Sequence, residues 1–100
     1  MELQTPRLLI RPVQQKDAGN IFSGLSNPEV TRYYAVHYDS LEACEAQMKW
    51  YRTLEEEEKG YWWVICLKNG GTFIGAGGFN NLDQQNRKAE FGFWLLPHFW

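Results

Sequence analysis

Apolar residues change their spacing several times along the chain, and each change marks a new element. From Arg7 to Val13 they alternate, with Leu8 and Ile10 on one side and Leu9 and Arg11 on the other. That two-residue period predicts a strand, with Pro12 at its end. Between Gln14 and Ser26, Ala18, Ile21, Phe22 and Leu25 recur at helical intervals. Gly19 and Gly24 weaken this helix by about 1 kcal/mol each relative to Ala. Ser26-Asn27-Pro28-Glu29 then reads as a fresh start: a polar cap, Pro at the first helical position and an acid in the first turn. The short helix it opens carries Val30, Tyr33 and Tyr34.

The strongest helix begins at Asp39-Ser40-Leu41-Glu42. Either Asp39 or Ser40 can cap it, and Glu42 follows Asp39 at capping-box spacing. Leu41, Cys44, Met48, Tyr51 and Leu54 form one stripe that faces a core, and Gly60 supplies the stop. The period then returns to two. Tyr61 to Leu67 is continuously apolar, which predicts a strand covered on both faces. Lys68-Asn69-Gly70-Gly71 signals a hairpin with Asn-Gly as a type I′ pair. Thr72 to Asn80 is its second strand, and Gly75, Gly77 and Gly78 inside it suggest a bulge or the close approach of another backbone or a ligand. A polar turn, Asn81 to Asn86, leads into a last strand, Arg87 to Leu96.

The order β-α-α-α-β-β-β, ending in an antiparallel meander with helices packed on it, defines an α+β fold. An aromatic final strand with an unpaired edge is unusual in a native domain. The expectation is therefore that residues 1–100 are the N-terminal part of a single longer domain, or that a partner chain completes the sheet.

Composition narrows the function classes. Net charge is −2, and the longest basic cluster is Arg87-Lys88, which argues against a nucleic-acid footprint. No apolar run approaches the roughly 20 residues of a membrane span, and the start of the chain lacks a signal-peptide profile. Cys44 and Cys66 lack metal-site spacing, so two buried free thiols are expected. No metal site is expected, and a cytoplasmic protein is the simplest fit. Five Trp, five Tyr and six Phe imply either a thick core or a pocket walled by flat rings. The run Glu55 to Glu58 is either a solvated face or an attractor for a basic substrate.

Four blocks carry a family resemblance: Thr5-Pro6-Arg7-Leu8-Leu9-Ile10-Arg11-Pro12, Asn27-Pro28-Glu29-Val30-Thr31-Arg32-Tyr33, Phe73-Ile74-Gly75 and Ala89-Glu90-Phe91-Gly92-Phe93-Trp94-Leu95. In order and spacing they resemble the GNAT acetyltransferases, and within them the RimJ/RimL-like branch, which acetylates protein N-terminal and other amines. The resemblance implies an acetyl-CoA-dependent N-acetyltransferase acting on an amine acceptor, such as a ribosomal protein N-terminus or a small amine. It implies that backbone groups at Phe93, Trp94 and Leu95 hold the pantetheine arm of the cofactor. In the family a glycine-rich loop then binds the pyrophosphate at a helix N-terminus. That loop and a later catalytic Ser or Tyr have no counterpart up to Trp100, so residues 1–100 alone are expected to be inactive. A homodimer is compatible with the resemblance.

Acetyl transfer to an amine needs a base, a polarised carbonyl and a protonated leaving group. Glu90 is the acid set in a strand among Phe91, Phe93 and Trp94. Burial beside those rings would raise its pKa into a useful base range, and by family likeness it is the base candidate, acting through water. Its bland alternative is a solvent-facing residue paired with Arg87 or Lys88. Tyr33, Tyr34, Trp62 and Asn80 could line an amine pocket, or serve as core and surface residues. His37 and His98 read as loop or surface histidines. The competing class is a non-catalytic, aromatic-rich binding module, or a fragment that completes its sheet with a partner.

Overall fold

Five antiparallel strands, each hydrogen-bonded to its neighbour in sequence, form one sheet in the order β1-β2-β3-β4-β5. They are β1 (Leu3–Gln4), β2 (Leu8–Pro12), β3 (Tyr61–Leu67), β4 (Phe73–Asp83) and β5 (Lys88–Leu95). A single-turn 3-10 helix (Gln15–Asp17) and helices α1 (Ala18–Leu25), α2 (Pro28–Thr31) and α3 (Leu41–Glu56) connect β2 to β3, and a second 3-10 turn (Pro97–Phe99) follows β5. The computed structural model describes residues 2–32, 36–83 and 85–99. The expected α+β order with its final meander is the one observed, with β1 as a short addition.

Local chemistry accounts for the elements. Asn27 Oδ1 accepts from the Glu29 N–H at 2.9 Å, with Pro28 at the first helical position. Ser40 caps α3, its Oγ accepting from the Ala43 N–H at 3.0 Å. Asp39 Oδ1 instead pairs with His37 Nε2 at 3.0 Å. At the other end Glu58, not Gly60, takes the left-handed conformation that stops the helix (φ 57), and the Lys59 N–H reaches back to Leu54 C=O at 2.9 Å. Gly60 has a different task, since it lies against the Phe79–Asn80 backbone where a side chain would clash.

The helices cover one face of the sheet. Ile21, Leu25, Cys44, Met48, Tyr51 and Leu54 from the helices meet Trp62, Val64, Cys66, Ala76 and Trp94 from the strands. Leu41, expected on the core stripe, is exposed, while Gln47 is buried. Gln47 remains satisfied: it accepts from Tyr38 Oη at 3.0 Å and donates to Tyr51 Oη at 3.1 Å. Cys44 and Cys66 are both buried free thiols.

Three further expectations are corrected. β3 is covered on one face only: Trp62, Val64 and Cys66 are buried, while Tyr61, Trp63, Ile65 and Leu67 are half-exposed on the other side. A continuous apolar run marks two apolar faces, not two covered ones. In the β3–β4 hairpin the left-handed pair is Gly70–Gly71 instead of Asn69–Gly70, because Leu67 N–H pairs with Thr72 C=O around a four-residue loop. β4 also runs on to Asp83, past an irregularity between Asn80 and Asp83, so the polar turn shrinks.

One buried ion pair fixes the entry into the helices. Arg11 on β2 makes a bidentate contact with Asp17, at 2.9 and 2.8 Å. Asp17 is 2% exposed and also accepts from the Gln14 N–H at 2.7 Å. The hydrogen bond from Arg11 to Asp17 raises the guanidinium pKa, against the opposing effect of its burial.

Candidate active site

β5 is the outermost strand, and its alternation decides what each residue can do. Glu90, Gly92 and Trp94 share the helix-bearing side of the sheet, while Phe91 and Phe93 project from the opposite side. Glu90 is exposed. The burial expected among Phe91, Phe93 and Trp94 is not observed, because two of those rings lie across the sheet. The third, Trp94, is 4% exposed and sits in the core beside Phe73, with ring centroids 5.8 Å apart.

Asn80, the direct cross-strand neighbour of Glu90, does join it: Asn80 Nδ2 donates to Glu90 Oε2 at 3.3 Å. Among the described residues no ion pair links Glu90 to Arg87 or Lys88. Trp62 is elsewhere. It is 2% exposed and packed against Tyr51 and Trp50, with centroid distances of 5.5 and 6.1 Å. It therefore serves the core, where an acceptor cannot touch it without displacing α3. Tyr33 and Tyr34 lie outside the described residues. His98 is exposed and stands edge-on to Phe99. His37 bridges Thr31 Oγ1 at 2.9 Å and Asp39 at 3.0 Å.

The backbone of β5 separates the three residues considered for the cofactor. The Leu96 N–H donates to Ile74 C=O at 2.8 Å, and the pairing continues through Trp94–Ala76 and Gly92–Gly78. Antiparallel ladders alternate, so Trp94 turns its N–H and C=O towards β4. Phe93 turns its own towards the open edge, and Leu95 lies in register with Gly75. An extended amide-bearing arm laid along β5 would meet Phe93 and not Trp94.

Sequence reasoning missed the surroundings of Glu90. Asn81, Asp83, Arg87, Lys88, Glu90 and Phe91 border a hollow of about 540 Å³. Asn81 and Arg87 there hold left-handed backbones (φ 54 and 55), a conformation that non-glycine residues adopt at a cost of about 1 kcal/mol or more. The polar run 81–86 signalled a turn but not this geometry. A second, apolar groove of about 670 Å³ lies on the open face, lined by Ile10, Trp63, Ile65, Phe79, Phe91 and Phe93. The aromatic surplus therefore divides between the core and this uncovered face. No group of metal-binding side chains occurs among the described residues, and no helix there is long and apolar enough to cross a membrane.

Residues 7–100 match the model of the acetyltransferase (GNAT) domain, and the chain belongs to that family. It is 36% identical over 99 residues to the uncharacterized N-acetyltransferase YoaA of Bacillus subtilis (strain 168), a match covering 98% of this chain and 56% of that protein. The chain thus spans about half the length of the curated relatives it matches. Among solved structures it resembles the spermidine N-acetyltransferase of Vibrio cholerae in complex with CoA and spermine, with a TM-score of 0.77 at 18% identity over 94% of this chain and 54% of that one. RimL, a ribosomal alpha-N-protein acetyltransferase in complex with coenzyme A, gives 0.75 at 14% identity over 95% and 55%. Identities this low show a shared fold.

Proposed function

We propose that the whole protein is an acetyl-CoA-dependent N-acetyltransferase of the RimJ/RimL-like branch that transfers acetyl to a primary amine. The acceptor is a protein N-terminus, such as that of a ribosomal protein, or a small amine. The observation that carries the reading is the placement of Glu90 on the edge strand β5, opposite Asn80 of β4 and three residues before Phe93 presents its backbone to the open edge. An acid and a backbone donor facing the open edge are thereby carried on one strand, about 10 Å apart along it.

Bound acetyl-CoA would supply the activated acetyl group. Phe93 and Leu95 would hold its pantetheine arm, with Trp94 supporting the strand from the core. The exposed Glu90 carboxylate would take the amine's proton through a water, and Asn80 would fix one of its oxygens. An N–H near Phe93 would polarise the carbonyl. Tyr33 would line the acceptor side as well. Residues 1–100 on their own are proposed to be inactive, given that they span about half of the matched relatives. A cytoplasmic location belongs to the same proposal, supported by the two free thiols.

A screen of primary amines with acetyl-CoA and the whole protein tests this. Acetyl-CoA consumption dependent on a particular amine is the expected result, and no consumption with peptide N-termini, polyamines or simple amines would sink it. A second reading, a surface that binds a partner, rests on the open face, where Phe91 and Phe93 are 82% and 69% exposed.

A further inference from the structure

The hollow beside Glu90 holds two acids, Asp83 and Glu90, and two cations, Arg87 and Lys88. Their partners differ. Asp83 is occupied: Oδ1 accepts from the Asn86 N–H at 3.2 Å and Oδ2 from Asn86 Nδ2 at 2.8 Å. Lys88 is the cross-strand partner of Asp83, yet no ion pair forms between them. Among the described residues neither Arg87 nor Lys88 has a side-chain hydrogen bond or ion pair. Two unpaired cations therefore stand beside the acid proposed to meet the acceptor amine. Lys88 and Glu90 are two residues apart on one strand face, a separation of roughly 7 Å from the strand rise.

From this juxtaposition we infer that the hollow is an acceptor subsite for a zwitterionic amine, with the ammonium end at Glu90 and a carboxylate or phosphate end at Arg87 and Lys88. A polycation entering the same hollow meets like charge at Lys88 and Arg87. A zwitterion finds an opposite charge at each end, and arginine and lysine both suit oxyanions. The spacing selects acceptors whose amine and acid are several bonds apart, as in a δ-amino acid or a short peptide, over an α-amino acid. Glu57 and Glu58 line a separate hollow that shares Asp83 with this one, and they form no ion pair with Arg87 or Lys88 among the described residues. The assignment rests on the reading of Glu90 as the residue that meets the acceptor.

The test is binding, followed by NMR on the isotopically labelled protein, with δ-aminovalerate and cadaverine as length-matched probes. δ-Aminovalerate should bind about tenfold more tightly than cadaverine, a difference of about 1.4 kcal/mol, and should shift the amide signals of Asn81, Lys88, Glu90 and Phe91. Lys88→Gln combined with Arg87→Gly should abolish that preference; glycine suits the left-handed backbone at Arg87, and the spectrum itself reports whether the variant folds. Equal or tighter cadaverine binding, a preference that survives in the double variant, or no shift at these residues would each overturn the assignment. Glu90→Gln turnover is a separate readout: its loss with no zwitterion preference would leave the base reading standing and remove only this one.

Discussion

Asn80 and Glu90 face each other across β4 and β5, with Asn80 Nδ2 3.3 Å from Glu90 Oε2. The contact is exposed, so its value lies in orientation more than stability. Asn80→Ala frees the carboxylate to rotate without removing it, and kcat of the whole protein should fall about tenfold, less than the roughly hundredfold or more that a positioned acid–base group itself contributes. Unfolding free energy should change by less than about 0.5 kcal/mol, as for ordinary surface substitutions. Steady-state kinetics and urea unfolding measure the two, and an unchanged kcat would remove Asn80 from the site.

Arg11 and Asp17 make the one buried ion pair among the described residues. Arg11→Met leaves a carboxylate that is 2% exposed without its partner. Removing one member of such a pair is expected to lower stability by about 3–5 kcal/mol, read from urea unfolding. Replacing both, Arg11→Met with Asp17→Leu, should recover much of that loss, although the Gln14 N–H then loses its acceptor.

Asp83 gives a pH-dependent expectation. Hydrogen bonds from Asn86 lower its pKa below the ordinary carboxylate value. A depressed folded-state pKa stabilises the fold above the unfolded value, near 3.9, and that contribution is lost as pH falls through the folded value. NMR titration should show the Asp83 carboxyl titrating below the exposed carboxylates, and Asn86→Ala should return it towards them. A midpoint unchanged by Asn86→Ala would contradict the assignment.

Burial raises the thiol pKa of both Cys44 and Cys66. Neither should react with a thiol reagent at neutral pH in the native protein, and both should react on unfolding. Rapid modification of the folded chain would place one of them at the surface.

How much of this was legible in the sequence depends on distance along the chain. Asn27 with Pro28, and Ser40 before α3, act on neighbours a few residues away, so the first cap was readable and the second was narrowed to Asp39 or Ser40. The pairing of Arg11 with Asp17 and the Tyr38–Gln47–Tyr51 chain join separate elements, and no local pattern announces them. Glu90 was found because an acid in an aromatic strand is conspicuous. Its exposure was one of two readings the sequence left open, because only the structure shows that the strand sends Phe91 and Phe93 to the other face. Trp62 resolves towards the other of its two readings: a large ring that could line a pocket or the core is sealed under Tyr51 and Trp50. Arg87 and Lys88 were visible as charges, but their lack of partners emerges only when Asp83 is seen bound to Asn86.

The base role of Glu90 is the central claim, and Glu90→Gln in the whole protein tests it most directly. The measurement is the steady-state rate of amine acetylation with the acceptor identified in the screen. The expected result is a kcat lowered by roughly a hundredfold or more, with the KM for acetyl-CoA changed by less than about twofold. A kcat within about twofold of the parent protein, well under what general base catalysis contributes, would contradict it.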